Sequence, residues 1–335
     1  MRRRVVAGMA VLLSLLLMLS CLNLLVGGAS FTAREALQAL MGDAGNPLAS
    51  RVIFGIRLPR MLCALILGGA LAVSGLLMQA YFDNPIAGPY VLGISSGARL
   101  AVCLLQVVCA LHRVLPGNFD QILWAFAGAM GVTGFILLAG SRVRSPGFLI
   151  ICGVMIGYLC QAGTDLVASF ARDAQVAGLQ AWNRGSFSGI SMDQVGVCAA
   201  VVIPCFAASL FLVKPMSIYR LGERETAALG VPMRLFRCAL VGLAGLLAGT
   251  VAAFAGPVSF VGVAVPHLVR RLCGTTHPGV LLPACFLGGG TLCLLCDLLA
   301  RTLAAPVELG LSSVTAVAGA PVILWILLGR QGGRE

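Results

Sequence analysis

Charge is scarce in this sequence. Only 10% of its 335 residues are Asp, Glu, Lys or Arg, whereas a soluble domain carries about 25%. Acidic residues are scarcer than basic ones: the chain has 12 Asp and Glu but 23 Lys and Arg. So few charged groups cannot cover the surface of a soluble protein of this size. The three histidines, His112, His267 and His277, are scattered along the chain and predict no catalytic or metal cluster.

Motifs that bind nucleotides or catalytic metals are also missing. The sequence has no Walker A motif, no glycine-rich phosphate loop and no HExxH. No soluble domain of any size interrupts the apolar segments. If the chain moves a solute, the energy must therefore come from a partner protein or from an ion gradient.

Cysteine is present in an odd number, 13, and most of these residues lie inside apolar runs. That placement does not suit a disulfide framework, because Cys behaves there as a small apolar residue. Cys293 and Cys296 form a CxxC pair among leucines. With no second pair at metal-ligand spacing, we interpret them as apolar filler.

Hydrophobic residues make up 59% of the chain, and glycine is abundant at 42. Runs of bilayer-spanning length predict an all-α polytopic membrane protein with about ten transmembrane helices in a single permease domain, 1–335. The predicted spans are 5–28, 61–80, 91–111, 122–140, 147–168, 195–213, 238–256, 257–272, 280–299 and 311–328. The segment 257–272 is bracketed by prolines and is predicted to be a broken span, which is tolerated only where protein or a cavity surrounds it.

Lysine and arginine set the expected orientation. With both termini in the cytoplasm, the inner segments carry more of these residues than the outer ones, as the positive-inside rule requires. The net charge of +11 is therefore interpreted as a topology signal and not as a surface for nucleic acid. The expected location is the inner (cytoplasmic) membrane, with lipid around the protein.

A short polar helix is predicted over 222–230, between two long apolar segments. Gly222 can act as N-cap, and the carboxylates of Glu223 and Glu225 suit the positive end of the helix dipole. Gly230 is placed for a left-handed stop, and Pro232 prevents resumption. A helix of this length cannot span a membrane, so it is either a plain connector or a docking surface. The remaining residues of the predicted surface are Arg224, Ala227, Ala228 and Leu229.

Several long motifs occur in a fixed order. They read RLPR (57–60), GGALAVSGLLMQ (68–79), NPIAGPYVLGISSG (84–97), WNRGS (182–186), GERETAALGVP (222–232), GPVSFVGVAVPHLVR (256–270) and ELGLSSVTAVAGAP (308–321). Together they resemble the FecCD/BtuC-like permeases of bacterial ABC importers, which carry iron-siderophores, haem or vitamin B12. The resemblance covers about residues 50–330.

The resemblance implies a type II ABC importer permease that works as a homodimer, with alternating access at the dimer axis. It implies two cytoplasmic ATPase subunits that bind ATP and Mg, a periplasmic or lipid-anchored binding protein, and no cofactor, metal or nucleic acid on this chain. The stretch 222–230 would contact the ATPase, and we interpret it as the coupling helix. The cargo is not readable from these motifs, although a ferric siderophore is favoured over haem and a corrinoid.

The resemblance also assigns roles to particular side chains. Arg57, Arg60 and Arg301 would dock the binding protein through carboxylates, for which guanidinium groups suit directional pairing. Asn84 and Pro85 break the chain after the second span and are candidate gate residues, although a plain turn explains them equally well. The candidate lining of the path is Gly153, Gly157, Gln161 and Thr164.

Arg99 departs from the family pattern, which has a small or apolar residue nearby. An arginine within a span is costly and tends to face a cavity or a partner. It could meet an anionic substrate, close a cytoplasmic gate, or extend to the inner surface, and we favour the last. Asp83 is a possible partner. His267 is expected to be a hydrogen-bonded structural residue.

Two other classes of protein remain possible. A secondary transporter would need paired intramembrane acids or broken helices in two corresponding halves, and only one broken span is visible. A membrane enzyme would need convergent catalytic groups. ATP-dependent uptake that survives collapse of the ion gradient discriminates the first of these from an ABC permease.

Overall fold

A computed structural model describes residues 2–27, 35, 38, 47–114, 116–142 and 146–331. All regular elements in these ranges are helices. They are α1 (Arg2–Leu25), α2 (Pro47–Val52), α3 (Leu58–Phe82), α4 (Ile94–Leu111), α5 (Asn118–Arg142), α6 (Pro146–Ser169), α7 (Asp173–Arg184), α8 (Met192–Phe211), α9 (Val213–Tyr219), α10 (Glu223–Ala228), α11 (Met233–Ala255), α12 (Val261–Cys273), α13 (Pro278–Thr302) and α14 (Leu311–Gln331). A π-helical segment, Ile53–Arg57, joins α2 to α3, and a 3₁₀ turn, Pro89–Leu92, precedes α4.

The predicted fold class is confirmed. By length and composition, eight helices in the described part of the chain can cross a membrane. Each of the ten predicted apolar segments falls on a helix, but α12 has only 13 residues and the apolar part of α14, Leu311–Leu324, is also short. Ten is therefore an approximate count of spans. The predicted break is present, because Gly256 has a φ of +72° and helix α12 begins only at Val261.

Helix α3 lies at the centre of the molecule, and most of its side chains are buried. Its glycines bring neighbouring backbones into direct contact. A Cβ atom on Gly75 would lie 1.7 Å from the carbonyl oxygen of Gly262 in α12, and one on Gly68 would lie 2.5 Å from that of Gly289 in α13. Small residues permit such approach where lipid removes the hydrophobic drive between helices. The small-sided character of this span therefore serves helix packing.

The bundle has two ends, which we name after the short helices that lie there. At the α10 end, the last turn of α3 meets α9, where the Tyr219 hydroxyl lies 3.5 Å from the Tyr81 carbonyl oxygen. At the α7 end, the first turn of α3 meets the last turns of α1 and α13 through Arg57 and Arg60. A single rigid helix thus connects the two ends.

The Gly75 contact predicts a sharp difference between two glycine substitutions. Gly75→Ala should lower the free energy of unfolding by about 1–3 kcal/mol, because the new methyl group overlaps the Gly262 backbone and the helices must separate. Gly131→Ala in α5 is the matched control, since its Cβ would meet open space, and its effect should stay within about 0.5 kcal/mol. Melting temperatures of the two variants in detergent check this, and equal values would contradict the packing role of Gly75.

Candidate coupling, gate and translocation sites

The short helix α10 forms as its sequence predicts. Gly222 is its N-cap with a φ of +121°, a conformation that favours glycine. At its end, Gly230 has a φ of +84°, its N–H donates to the Ala227 carbonyl at 3.0 Å, and that of Val231 donates to the Thr226 carbonyl at 3.3 Å. These two hydrogen bonds make a complete Schellman motif. Helix α10 therefore has a defined start and stop, independent of any partner.

One face of α10 is left open. Arg224, Glu225, Ala227, Ala228 and Leu229 are exposed, whereas Thr226 is buried and its hydroxyl donates to the Gly222 carbonyl at 2.6 Å. Thr226 faces the protein itself, which its sequence position did not indicate. The exposed face has small residues between charged ones, an arrangement that suits close packing by another protein.

Polar contacts hold α10 against the rest of the chain. Glu223 forms an ion pair with Arg237 in α11. Just before the helix, Arg220 donates to the Thr276 hydroxyl at 2.8 Å, in the loop between α12 and α13. Burial raises the pKa of the Tyr219 hydroxyl, so this group stays protonated at neutral pH. A displacement of α10 would thus act directly on α11 and on this loop.

The predicted gate residues lie in a turn that follows α3, which we call the gate turn (residues 83–88). Asp83 has a φ of +45°, and the Asn84 side chain accepts a hydrogen bond from the Ile86 N–H at 3.0 Å. The Pro85 carbonyl lies 2.8 Å from Nε2 of His267 in α12. His267 is therefore a hydrogen-bonded residue that holds the gate turn, as expected.

Helix α12 also holds the end of α3. Arg270 donates to the Gln79 side chain at 2.8 Å, and the Gln79 amide donates to the Val263 carbonyl at 3.2 Å. A cavity of about 500 Å³ separates the gate turn from the α9–α10 connection, and both Asn84 and Glu223 line it. The gate turn and the exposed helix thus face one cavity and share α12 and its following loop as neighbours.

The three predicted docking arginines converge at the α7 end, where Arg57 and Arg60 are buried and Arg301 is half-buried. Arg57 is 4% exposed and donates to the Leu24 and Leu25 carbonyls at 2.7 and 3.0 Å. Arg301 donates to the backbone and side-chain oxygens of Asn23 at 2.8 and 2.9 Å. Both guanidinium groups therefore satisfy carbonyls at the C-terminal end of α1, where positive charge is favourable.

Arg60 has carboxylate partners within the chain. It is 7% exposed, its guanidinium lies 2.9 Å from the buried Asp297, and it donates to Glu308 at 2.8 Å. The Glu308 side chain is 45% exposed. Sequence reasoning missed both acids as partners of Arg60. Glu308 therefore carries the Arg60 cluster to the surface, and the docking role of all three arginines stays a prediction.

Three of the sequence motifs meet at one point near the α7 end. The Ser186 N–H donates to the Ala255 carbonyl at 3.0 Å, and the Leu311 N–H donates to the Gly185 carbonyl at 3.1 Å. Gly185 has a φ of +66°, and a Cβ there would lie 2.8 Å from the Pro257 carbonyl oxygen. The WNRGS motif thus joins the break before α12 to the start of α14.

The residues predicted to line the path have different surroundings. Gly153 packs against the turn before α4, where its Cβ would lie 2.7 Å from the Leu92 Cα, and Gly157 faces Gly93. The buried Thr164 hydroxyl donates to the Cys160 carbonyl at 2.8 Å. Gln161 reaches Arg99. The two glycines therefore support a close helix contact, whereas Thr164 lines a cavity at the α7 end and Gln161 bonds to Arg99 and Asp165 in its wall.

Arg99 has a partner that the sequence did not indicate. Its guanidinium donates to the Gln161 side chain at 2.8 Å and lines the cavity at the α7 end, together with Asp165 and Arg184. Asp83 lines the cavity at the α10 end and is not its partner. The turn before α4 packs beside Gly153 and Gly157, so α4 begins part-way along α6. This offset, which periodicity does not reveal, places Arg99 beside Gln161 of α6.

The cysteines confirm the interpretation of them as apolar filler. All 13 are free thiols, and both Cys293 and Cys296 are buried on α13. Among the described residues, no group of three or more His, Cys, Asp and Glu could hold a metal ion. The expectation that this chain binds no metal remains a prediction.

Together, the helical bundle, the open short helix and the gate turn define a membrane permease that requires a partner on one face. The FecCD transport family model matches residues 15–329, and the chain belongs to this family. It is therefore a permease subunit of an ABC transporter and not an enzyme, and the ATPase is a separate protein.

Relatives with high coverage support this assignment. The chain is 39% identical over 313 residues to the vitamin B12 import system permease protein BtuC of Escherichia coli O127:H6, covering 93% of this chain and 94% of that protein. The same identity and coverage hold for BtuC of Shigella boydii serotype 18. A solved structure of an inward-facing ABC transporter described as of metal-chelate type matches with a TM-score of 0.83 at 27% identity, covering 95% of this chain and 97% of that one.

The buried ion pair predicts unequal losses of stability at the two carboxylates. Asp297→Ala should cost about 3 kcal/mol, because it leaves Arg60 and Arg301 short of buried countercharge. Glu308→Ala should cost less than about 1 kcal/mol, since that carboxylate is half-exposed. Thermal unfolding of the purified variants measures both, and equal losses would contradict the structural role of Asp297.

Proposed function

We propose that this chain is the translocation subunit of an ATP-driven importer for a metal chelate of the corrinoid, haem or ferric-siderophore class. Two copies form the permease, and the cargo passes along the axis between them. The relatives named for vitamin B12 import favour a corrinoid. The observation that carries the proposal is the open face of α10, which is tied to the rest of the chain through the Glu223–Arg237 ion pair and the Arg220–Thr276 contact.

The proposed assembly has four other members. Two ATPase subunits bind ATP and Mg and contact α10 from the cytoplasm, and a periplasmic or lipid-anchored binding protein delivers cargo at the α7 end. Both termini of the permease lie in the cytoplasm, which the distribution of Lys and Arg supports. This chain itself binds no cofactor.

The proposed coupling path has two branches that start from α10. One branch runs through the Glu223–Arg237 ion pair into α11. The other branch runs from Arg220 to Thr276, in the loop after α12. Within α12, His267 contacts the gate turn and Arg270 donates to Gln79. Movement of α10 by the ATPase thereby changes the position of Asn84 and Pro85.

Uptake into proteoliposomes tests the function. The permease, co-purified with its ATPase and supplied with its binding protein, should accumulate a metal chelate only when ATP is present, and collapse of the ion gradient should not reduce the rate. Uptake that follows the ion gradient and ignores ATP would instead identify a secondary transporter.

A substitution on the open face of α10 separates coupling from folding. Ala228→Arg should lower ATP-driven uptake at least tenfold while ATPase activity persists, because a large cation replaces a methyl group at the proposed contact. Ala228→Ser is the matched control and should retain uptake, since it keeps the small volume. If the Ala228→Arg variant keeps wild-type uptake, α10 is a plain connector and not a docking surface.

The docking proposal centres on Arg60, with Arg57 and Arg301 as its supporting neighbours. A carboxylate of the binding protein would replace Glu308, which is half-exposed and the nearer to solvent of the two acids on Arg60. Bidentate pairing would then give a directional contact.

Competition with Glu308 makes this proposal testable. Glu308→Gln should tighten the complex with the binding protein roughly tenfold, because it removes the internal competitor for Arg60. Arg60→Gln should weaken the complex. Biolayer interferometry on the assembled transporter measures both affinities, and no change in either variant would exclude docking at Arg60.

A further inference from the structure

A polar cavity at the α7 end has no role in the coupling path described above. It has a volume of about 500 Å³, within the range of small-molecule sites in proteins. Its polar lining comes from four helices and includes Arg99, Asp165, Asn183, Arg184, Ser312 and Ser313. Convergence of polar side chains from α4, α6, α7 and α14 in an otherwise apolar bundle is unusual enough to require a ligand or solvent.

Arg99 has spare hydrogen-bonding capacity in this cavity. Its Nη1 donates to Gln161 at 2.8 Å, and the Gln161 amide in turn donates to the two Asp165 carboxylate oxygens at 3.0 and 3.1 Å. The buried Nε of Arg99 has no hydrogen-bond partner in the part of the chain that the structure describes. A guanidinium has five N–H donors, so most of those on Arg99 remain available.

The charge balance favours an anion. Arg99 and Arg184 line the cavity against a single carboxylate, Asp165. Gln161 stands between Arg99 and that carboxylate, so the guanidinium is oriented by a neutral amide and is not neutralised by direct contact. Two guanidinium groups opposed by one carboxylate attract an anionic group to the cavity.

The cavity also lies where cargo would pass. It adjoins α6 and α14, whose outward faces carry large apolar side chains without a neighbour, such as Tyr158 at 66% and Val317 at 77% exposure. Cargo released by a binding protein at the α7 end would therefore meet Arg99 before it reached the gate turn.

We propose that the Arg99 cavity receives an anionic group of the cargo, such as a carboxylate, a catecholate or a phosphodiester, and that the transported chelate carries such a group. The inference rests on the proposed import function and adds the chemical class of the cargo. Arg99 pairs with the anion through its free N–H groups, and Gln161 holds the guanidinium in place. One weak contact of this kind orients a bulky cargo without trapping it.

A labelling experiment tests the charge of the cavity without any knowledge of the cargo. Cysteine introduced as Ser313→Cys is exposed at the cavity wall, and its modification by anionic and cationic methanethiosulfonates can be followed by mass spectrometry of the peptide. The preference for the anionic reagent should fall on the order of tenfold with Arg99→Gln. Arg99→Lys should preserve it, and so should the matched control Arg113→Gln, which removes an exposed charge at the far end of α4.

Uptake of paired cargoes tests recognition itself. The pairs are cobalamin and cobinamide, which lacks the phosphodiester; haem and its dimethyl ester; and ferric tris-catecholate and the uncharged ferric tris-hydroxamate. For whichever class the wild-type complex carries, Arg99→Gln should reduce the uptake rate of the member that has the anionic group about tenfold relative to the member that lacks it, and Arg99→Lys should restore it.

The outcomes separate the two proposals. An unchanged labelling preference in Arg99→Gln, or equal loss of both members of the transported pair, overturns the anion site while leaving the import function intact. Failure of the wild-type complex to take up any of these chelates with ATP overturns the proposed function, and the labelling result then still decides whether the cavity is an anion site.

Discussion

The structure depends on direct backbone contact between α3 and its neighbours. Gly75 lies against Gly262 of α12, and Gly68 lies against Gly289 of α13, at distances that no side chain would allow. In a membrane, helices gain little from burying apolar surface, and close van der Waals contact replaces that drive. Because α3 is fixed in this way, its two ends are fixed as well, and both ends carry polar groups with partners on neighbouring helices.

Polar interactions are concentrated at these ends. At one end, Gln79 and the gate turn are held by Arg270 and His267 of α12. At the other, Arg60 pairs with Asp297 of α13 and with Glu308. Helices α12 and α13, which make the glycine contacts in the middle of α3, therefore also supply its polar contacts. The contacts of α10 with α11 and with the loop after α12 join it to the same unit.

Sequence patterns predicted the parts of this arrangement that are local. Apolar run length located every long helix, because one bilayer thickness sets one span. Caps located α10, because Gly222 and Gly230 adopt positive φ angles that favour glycine. Proline and glycine also predicted the break before α12. The motif order identified the family from residues that prove to meet in space, such as Gly185, Pro257 and Leu311.

What the patterns did not predict depends on tertiary contacts. The burial of Arg57 and Arg60 and the partial burial of Arg301 follow from how α1, α3 and α13 meet. An arginine at a helix end has the same local sequence pattern whether it is buried or exposed. The placement of Arg99 follows from the offset between α4 and α6. The resemblance named Gly153 and Gly157 as lining of the path, and the turn before α4 packs against both of them, a contact that the sequence did not indicate.

The central claim is that α10 and the gate turn move as one unit when the ATPase closes. Spin labels at Arg224 and Ile86, both exposed, allow distances to be measured by pulsed electron paramagnetic resonance in the assembled transporter with and without ATP. The account predicts that the distance between the two labels within one subunit stays constant, while the distance between the two Ile86 labels across the dimer changes. The opposite result would contradict it: the Arg224–Ile86 distance within one subunit changes, while the distance between the two Ile86 labels stays constant.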